Sequence, residues 1–329
     1  MKIIKIVKII ITNILIFCLF FFIVDFCLYN KFVIQYKKEQ SSQIQETDKP
    51  INYLDNYKSE YSPHTYQAFK NNTNIFGNRT IPIIKNALKG SILMFGCSYT
   101  HGDLLEDNQT LGYLIYEKTK RNVFNYGISS GCIQHMLYML SNMNFDKLKP
   151  YNPEYVIYIY IPEHLFRVHN KINPNSVMIN GSCITYKLQN DKLQLQKPIL
   201  PDFFYKTYIL KAFLYNQDEY IFKNTLQNRY ESFALFNEIL LQSKQKLNEK
   251  FPNIKFIILR YRVNGDEEYR ELPFMWEVLK SEGFIIIDTQ EIIGRKFEYN
   301  SDDCAEDGYH PSFKTWKLLV PKIIEKLNL

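Results

Sequence analysis

The chain of 329 residues is 46% hydrophobic and 16% aromatic, which is enough apolar material for one sizeable core and excludes a disordered protein. Its formal net charge is +6, but five of these charges lie within the first 38 residues, where six lysines face one acid. The rest of the chain is therefore close to neutral, and a basic face for nucleic acid is excluded.

An apolar run from Ile9 to Val24 lies near the start of the chain, with Thr12 and Asn13 as its only polar residues. Extended to Tyr29, it approaches the ~20 apolar residues that span a bilayer core. Three lysines within the first eight residues favour a cytoplasmic N-terminus. Since no small-x-small cleavage site follows the run, an uncleaved signal anchor is favoured over a cleaved signal peptide.

Three segments are therefore expected. Residues 1–36 form a cytoplasmic tip and a transmembrane anchor, residues 37–75 form a polar tether and lead-in, and residues 76–329 form the folded domain. This topology predicts a single-pass protein of a bacterial inner membrane, with its folded domain facing the periplasm or the cell exterior. The lipid bilayer is thus one expected partner.

Short apolar runs alternate with helical segments throughout the folded domain. Apolar strands between helices predict a parallel sheet that is covered by helices on both faces. The predicted strands are 91–95, 123–125, 155–161, 255–261 and 284–288, and the predicted helices lie near 110–120, before 142, and at 230–249, 267–281 and 312–327.

Residues 168–229 interrupt this alternation. They contain an alternating polar and apolar stretch, SCITYKLQNDKLQLQK, which predicts a hairpin insertion. Ligands of parallel α/β sheets bind at the carboxyl ends of the strands, and the insertion follows the third strand. We therefore expect the insertion to overhang the ligand site.

Ser98 follows the first predicted strand, inside the sequence GCSYTHG. The flanking glycines let the backbone turn sharply, and backbone N–H groups at such a turn can stabilise an oxyanion. An ordinary polar turn is the alternative, because Ser and Gly are common after strands. The side chain of Cys97 should point away from the site, so Cys97 is a poor candidate for a nucleophile.

An acid and a histidine lie three residues apart just before the closing helix, at Asp307 and His310. In a turn, this spacing places a carboxylate beside an imidazole, where it can fix the tautomer and stabilise the charged form. A solvated turn that caps the helix is the alternative. Asp302 and Asp303 are expected to remain solvated, and His101, which lacks an adjacent acid, is expected to line the site and bind substrate.

Together these motifs resemble the SGNH hydrolase superfamily, also called the GDSL family. The first block of that family is Gly-x-Ser-x-x-x-Gly at the end of the first strand, and Gly96, Ser98 and Gly102 match it. The last block is Asp-x-x-His, and Asp307 and His310 match it. The order and strand context of the blocks make the resemblance more specific than either motif alone.

The second block of the family supplies an oxyanion-hole glycine after the second strand, and the turn NYGISSG matches it with Gly127. The resemblance covers roughly residues 76–329 and implies a flavodoxin-like three-layer α/β/α sandwich with a mostly parallel five-stranded sheet. It implies Ser98 as the nucleophile, His310 as the base and Asp307 as the acid that orients it. The amides of Ser98 and Gly127 would hold the oxyanion.

The third block departs from the family pattern. An Asn that donates to the oxyanion is usual there, but this chain has Pro162, which cannot donate a hydrogen bond. His164 could supply the missing donor, and a position away from the site is the alternative. Arg167 could bind an anionic substrate group or pair with Glu163.

The sequence therefore predicts a serine esterase or acyltransferase that acts on O-acyl groups, above all O-acetyl groups, of an envelope polysaccharide or glycolipid. This substrate class is implied by the resemblance together with the anchor. A lipolytic or thioester hydrolase of the same fold is one alternative, and a non-catalytic envelope assembly or glycan-binding component is another. No CxxC pair or His/Cys cluster is present in the sequence, so neither a metal nor an organic cofactor is expected.

Overall fold

The computed structural model describes only part of the chain. The described residues are Arg79, 81–129, 131–168, 185–190, 192–196, 226–264 and 271–329, together with scattered helical positions between Asn13 and Val24. The chain divides into two compact units, and the unit that holds all the strands comprises Pro63–Lys171, Cys183–Lys197 and Tyr220–Leu329. The other unit comprises Met1–Ser62, Ile172–Ser182 and Pro198–Glu219, and the structure describes only the scattered helical positions of it.

Five parallel strands form the central sheet, in the order Val123–Asn125, Ser91–Phe95, Pro153–Tyr160, Lys255–Arg260 and Ile285–Asp288. This order is that of flavodoxin-like folds, in which the chain reverses direction across the sheet beside the first strand. Because the predicted strands all appear in it, the parallel five-stranded sheet is confirmed. The strands in chain order are β1 (Ser91–Phe95), β2 (Val123–Asn125), β3 (Pro153–Tyr160), β4 (Thr185–Gln189), β5 (Lys192–Gln196), β6 (Lys255–Arg260) and β7 (Ile285–Asp288).

The helices of the described segments from residue 81 onward connect these strands. They are α1 (Ser98–His101), α2 (Leu111–Thr119), α3 (Ile133–Asn142), α4 (Glu163–Arg167), α5 (Leu226–Lys250), α6 (Met275–Ser281), α7 (Thr289–Ile293) and α8 (Phe313–Leu327). Short 3₁₀ segments occur at Asp107–Gln109 and Phe145–Tyr151. The side chain of Ser312 accepts a hydrogen bond from the Thr315 N–H at 3.3 Å, as expected for an N-cap at the start of α8.

Two apolar clusters cover the two faces of the sheet, because successive strand residues point to opposite sides. Phe95 and Tyr158 face the layer formed by α3, α5 and α6. Met94 and Ile157 face the layer formed by α2 and α8. The three-layer α/β/α arrangement predicted from the sequence is therefore confirmed, and it leaves the carboxyl ends of the strands as the edge where a ligand can bind.

The predicted hairpin insertion is present. β4 and β5 pair antiparallel, and Tyr186 on β4 is buried in the cluster on the α3, α5 and α6 face. The hairpin thus packs by its own apolar face on the helical layer. The segments 169–184 and 197–225, which flank it, lie outside the described residues, and so does the predicted overhang of the site.

In the part of the chain that the structure describes, no helix is both long and apolar enough to cross a membrane. The predicted anchor and tether lie almost wholly outside the described residues. The anchor and the segment boundaries at residues 36 and 75 therefore stay predictions.

Two neighbouring leucines on α8 test its placement. Leu319 is completely buried against the sheet, whereas Leu318 is 41% exposed. Leu319→Ala should lower the free energy of unfolding by about 2–5 kcal/mol, because it removes apolar contacts and leaves a cavity. Leu318→Ala should change it by less than about 0.5 kcal/mol. Urea unfolding of the two full-length variants measures the difference, and equal losses would mean that α8 presents another face to the sheet.

Candidate active site

The turn after β1 carries Ser98 at the carboxyl edge of the sheet. Gly96 has a φ of +146°, and a Cβ on it would lie 2.2 Å from Thr100 Oγ1, so this position requires glycine. The Thr100 hydroxyl donates to the carbonyl of Phe95 at 3.1 Å and closes the turn. Ser98 begins α1 and is 7% exposed, so its side chain sits in a nearly closed setting at the strand end.

Asn125, the last residue of β2, ties the neighbouring loop to this turn. Its Nδ2 donates to the carbonyl of Thr100 at 2.7 Å, and its Oδ1 accepts from the Gly127 N–H at 2.9 Å. A Cβ on Gly127 would lie 2.2 Å from the backbone nitrogen of His101, so the two loops are in direct backbone contact. Gly127 thus lies beside the turn of Ser98, as its predicted role requires. Its amide is engaged by Asn125 here, and its role as an oxyanion donor stays a prediction.

His310 and Asp307 form the expected imidazole–carboxylate pair. His310 Nδ1 is hydrogen-bonded to Asp307 Oδ2. The other carboxylate oxygen, Oδ1, accepts the backbone N–H groups of Tyr309 and His310, each at 3.0 Å. Since the carboxylate is held by its own loop, it fixes the imidazole with Nδ1 toward Asp307. Among the described residues, Nε2 has no hydrogen-bond partner, as the predicted role of a base requires.

The electrostatic surroundings favour the charged form of both members of this pair. Burial of the His310 ring lowers its pKa, but the hydrogen bond and charge of Asp307, with a further contribution from Asp103, outweigh burial and raise the pKa above its ordinary value. Burial raises the pKa of Asp307, and the hydrogen bond and charge of His310 outweigh this and lower it. The guanidinium of Arg167 opposes the rise at His310. His310 therefore holds a proton more readily than a free histidine does.

Tyr99 connects the turn that carries Ser98 to the loop that carries His310. Its hydroxyl donates to the carbonyl of Tyr309 at 2.8 Å, and its ring lies 5.3 Å from the His310 ring, centroid to centroid. The residue next to Ser98 thus holds the residue next to His310, so the two loops that carry these residues are tied together. No hydrogen bond joins Ser98 Oγ to the His310 ring within the described residues, and such bonds are often long before substrate binds. The link between Ser98 and His310 stays a prediction.

Asp303 helps to hold the loop that carries His310 through an ion pair with Arg295. Its carboxylate accepts from Arg295 Nη1 and Nη2 at 2.6 and 2.7 Å, and Asp303 is only 7% exposed. The expectation that Asp303 remains solvated is therefore wrong, because the guanidinium compensates its burial. Asp302 is exposed and pairs with Lys314 at 2.9 Å, so its predicted solvation is confirmed.

His101 has an acid partner, Asp103, that was not predicted from the sequence. Its Nδ1 lies 2.6 Å from Asp103 Oδ1, and the Ser129 hydroxyl donates to both carboxylate oxygens at 2.8 and 2.7 Å. The expectation that His101 lacks an adjacent acid is therefore wrong. Gly102 adopts a φ of +85°, which turns the chain back and brings Asp103 beside the imidazole. The signal in the sequence is the triplet His-Gly-Asp, in which a glycine permits this reversal.

His164 lies in the core and not at the open edge of the sheet. Its ring is fully buried, Nδ1 is 2.7 Å from the Tyr158 hydroxyl, and the ring of Tyr160 packs edge-on against it. Burial lowers the pKa of His164 well below its ordinary value, so the ring is neutral. This setting favours a packing role, and the oxyanion role of His164 stays a prediction without a supporting contact.

Arg167 lies close to the candidate catalytic residues. Its Nη1 donates to the carbonyl of Gly131 at 3.3 Å. Its charge lowers the pKa of His310 and also that of Cys97, the residue before Ser98. Burial nevertheless raises the pKa of Cys97, which keeps its thiol protonated and unreactive. Arg167 is thus placed to meet an anionic group near Ser98, and its substrate-binding role stays a prediction.

The comparisons with known proteins give only structural likenesses. No protein-family model and no curated protein matches the chain. Solved structures that resemble it include a protein assigned to the lipolytic G-D-S-L family from Desulfitobacterium hafniense DCB-2, at 11% identity and a TM-score of 0.43, covering 72% of this chain and 99% of that one. A carbohydrate esterase family 2 enzyme with a carbohydrate-binding domain, from Corynascus thermopiles, has 12% identity and a TM-score of 0.41, covering 76% and 69%.

A lipase from a goat rumen metagenome is a third such structure, at 13% identity and a TM-score of 0.41, covering 72% of this chain and 97% of that one. These structures are GDSL-type lipolytic proteins, lipases and carbohydrate esterases. At these TM-scores and identities the likeness alone carries no conclusion about the reaction of this chain.

Replacing Asp307 with Asn tests the pair. His310 must be deprotonated to act as a base, so kcat/KM of ester hydrolysis should fall as the pH drops through its raised pKa. In Asp307→Asn the pKa of His310 falls, so this midpoint should move to lower pH, while the plateau drops by about 10³–10⁴-fold because the tautomer is no longer fixed. The pH profile of hydrolysis measures both changes. Asp302→Asn removes a nearby exposed carboxylate and should change neither, and an unmoved midpoint in Asp307→Asn would contradict the pairing.

Proposed function

We propose that this protein is a membrane-anchored serine esterase or acyltransferase of the SGNH type. Ser98 is the nucleophile, His310 the base and Asp307 the acid that orients the base. The observation that carries the proposal is the His310–Asp307 pair, which Tyr99 holds against the turn of Ser98 at the carboxyl edge of the sheet. Ser98 comes from the start of the domain and the His310–Asp307 pair from its end, and the Tyr99 hydrogen bond ties these two loops together at the edge where α/β folds place their ligands.

The proposed reaction begins with attack of Ser98 Oγ on an ester carbonyl, while His310 Nε2 takes its proton. The negative charge on the carbonyl oxygen is held by the backbone N–H groups of Ser98 and Gly127. The Gly127 amide already lies beside the nucleophile turn, and it must turn from Asn125 Oδ1 toward the oxyanion or be shared between them. The bond to the alcohol then breaks and leaves an acyl group on Ser98, which water or an acceptor hydroxyl removes.

The surroundings of His310 favour an O-acylated sugar as the substrate. The Tyr309 side chain is 46% exposed directly beside His310, and the ring of Tyr299 packs on it at 5.3 Å. An exposed aromatic ring supported from behind gives a flat apolar surface on which a sugar ring can lie. Arg167 can meet a carboxylate or phosphate of the same glycan.

The membrane assignment supports an envelope glycan or glycolipid as the target. It rests on the apolar run from Ile9 to Val24 in the sequence. Of the residues described there, Ile16, Phe17 and Phe20 are each more than half exposed in a helix, as expected for a segment whose partner is lipid. The folded domain would then face the periplasm or the cell exterior, where acylated polysaccharides occur.

Ser98→Ala should abolish the reaction. Hydrolysis of p-nitrophenyl acetate should fall by about 10⁴-fold or more, because the acyl-enzyme can no longer form, and a fluorophosphonate probe should no longer label the protein. Ser281→Ala, at the exposed end of α6, should keep both properties. Equal labelling of wild type and Ser98→Ala would contradict the assignment.

The same assay separates the alternatives. Preference for acetyl esters over long-chain acyl esters supports the glycan O-acyl substrate, and an optimum on long chains supports a lipolytic or thioester hydrolase. Absence of labelling in the wild type, combined with glycan binding, would favour the non-catalytic component.

The sugar surface has its own test. Tyr309→Ala should raise KM for an acetylated oligosaccharide by about two- to twelve-fold, the equivalent of an aromatic contact worth ~0.5–1.5 kcal/mol. KM for p-nitrophenyl acetate, which has no sugar ring, should stay unchanged. Tyr230 on α5 is 45% exposed, so Tyr230→Ala serves as a control of equal exposure. If Tyr309→Ala leaves both KM values unchanged, the ring does not contact a sugar.

A further inference from the structure

In the part of the chain that the structure describes, two imidazole–carboxylate pairs lie on the turn of Ser98 and on the loop that Tyr99 ties to this turn. The His310–Asp307 pair comes from the loop before α8, and the His101–Asp103 pair comes from the nucleophile turn itself. The two pairs act on each other through their charges. The charge of Asp103 raises the pKa of His310, and the charge of His310 helps lower that of Asp103.

The backbone sets His101 on the same side of α1 as Ser98. The two residues are three positions apart in one helical turn, and side chains with this spacing are neighbours on a helix surface. The N–H groups of Gly102 and Asp103 both donate to the carbonyl of Ser98, at 2.8 and 3.1 Å. The chain is thereby folded back on itself, and the imidazole, the carboxylate and the nucleophile share one short loop.

The His101 ring is held in a defined orientation. Asp103 engages Nδ1, and Asp103 is in turn held by Ser129, with side-chain exposures of 14% for His101 and 7% for Asp103. Within the described residues, Nε2 of His101 has no hydrogen-bond partner. An imidazole with Nδ1 fixed by a carboxylate and Nε2 free has the arrangement of a general acid or base.

We infer that His101, positioned by Asp103, is a second catalytic acid–base group of this site and serves the alcohol that leaves or accepts the acyl group. The inference rests on the proposed function, since it requires the acyl-enzyme on Ser98. His310 then exchanges a proton with the Ser98 oxygen, and His101 exchanges a proton with the oxygen of the substrate alcohol. This division of labour makes His101 a residue that touches the substrate and Asp103 a residue that positions it.

The proton transfers close a cycle. The cycle requires a starting form in which His310 is neutral and His101 carries a proton on Nε2. Ser98 Oγ attacks the donor ester and gives its proton to His310, and the bond to the donor alcohol breaks as that oxygen takes the proton from His101. The products of this half are the free alcohol, the acyl ester on Ser98, protonated His310 and neutral His101.

The second half runs these transfers in reverse on a new hydroxyl group. The acceptor oxygen attacks the acyl carbonyl and gives its proton to His101, and the bond to Ser98 Oγ breaks as that oxygen takes the proton from His310. All groups return to their starting state, and no other reactant is needed. During the acyl-enzyme stage His310 holds a proton, which the charges of Asp307 and Asp103 favour. Only a hydroxyl that reaches His101 is then activated.

The leaving group distinguishes this role from a purely structural one. An alkyl or sugar oxygen needs a proton in order to leave, whereas p-nitrophenolate is a stabilised anion and leaves without one. Loss of a general acid therefore slows acylation by a sugar acetate and spares acylation by p-nitrophenyl acetate. A cluster that only holds the loop together affects both substrates alike.

The experiment compares wild type with His101→Gln on two substrates, p-nitrophenyl acetate and an acetylated methyl glycoside. His101→Gln should keep the rapid burst of p-nitrophenolate, and its later steady rate should fall by about 10²–10⁴-fold, because deacylation needs the base. Acylation by the glycoside acetate should fall by a similar factor. Asp103→Asn should show the same pattern with a smaller loss.

Fluorophosphonate labelling of Ser98 in the same variants provides the folding control. If His101→Gln is labelled like wild type and its acylation rate falls by the same factor with both substrates, the inference is wrong while the proposed function stands. If the wild type itself is not labelled, the proposed function fails and the inference falls with it. Loss of the burst in both His101→Gln and Asp103→Asn, at unchanged unfolding midpoints, would also overturn the inference.

Discussion

The hydrogen bonds of the Asn125 side chain are the constraint on which the site depends. One amide group bridges the carbonyl of Thr100 and the N–H of Gly127, and it is completely buried at the end of β2. Buried polar groups that lose their partners cost about 1–3 kcal/mol each, so the bridge holds both loops in one arrangement. Because parallel strands end at the same edge of a sheet, the Asn125 side chain can fix both the turn that carries Ser98 and the loop that carries Gly127.

Charge balance around His310 follows from this arrangement. The charges of Asp307 and Asp103 both raise the pKa of His310, and the charge of Arg167 opposes their effect. The ion pair between buried Asp303 and half-exposed Arg295 holds the same loop without contacting the imidazole. Two carboxylates thus stabilise the protonated form of His310, and one guanidinium limits this stabilisation. Opposing charges of this kind are how active sites adjust the pKa of a catalytic group. An acylated sugar bound beside Tyr309 would meet these groups on the open side.

The strand pattern and the main motifs could be predicted from the sequence because they depend on local properties. Apolar runs such as 91–95 form strands wherever they are buried, and Ser312 caps a helix through its own side chain. The Asp-x-x-His spacing brings Asp307 to His310 within one turn, so that pair too is local. The prediction failed for Asp303, because its partner Arg295 comes from a separate turn and only folding shows that the carboxylate is compensated.

The sequence by itself determined the alternation of strands and helices, the position of Ser98 after the first strand and the pairing of Asp307 with His310, since each depends on residues close together in the chain. Only the tertiary structure decided which faces are buried, that His164 packs in the core beside Tyr158, and that Tyr99 joins the first strand's turn to the last loop. The pair of His101 and Asp103 lies between these cases: its residues are adjacent, but the left-handed turn at Gly102 and the Ser129 hydroxyl make them a pair. Contacts between distant segments depend on how the layers pack, and a local pattern carries no information about that packing.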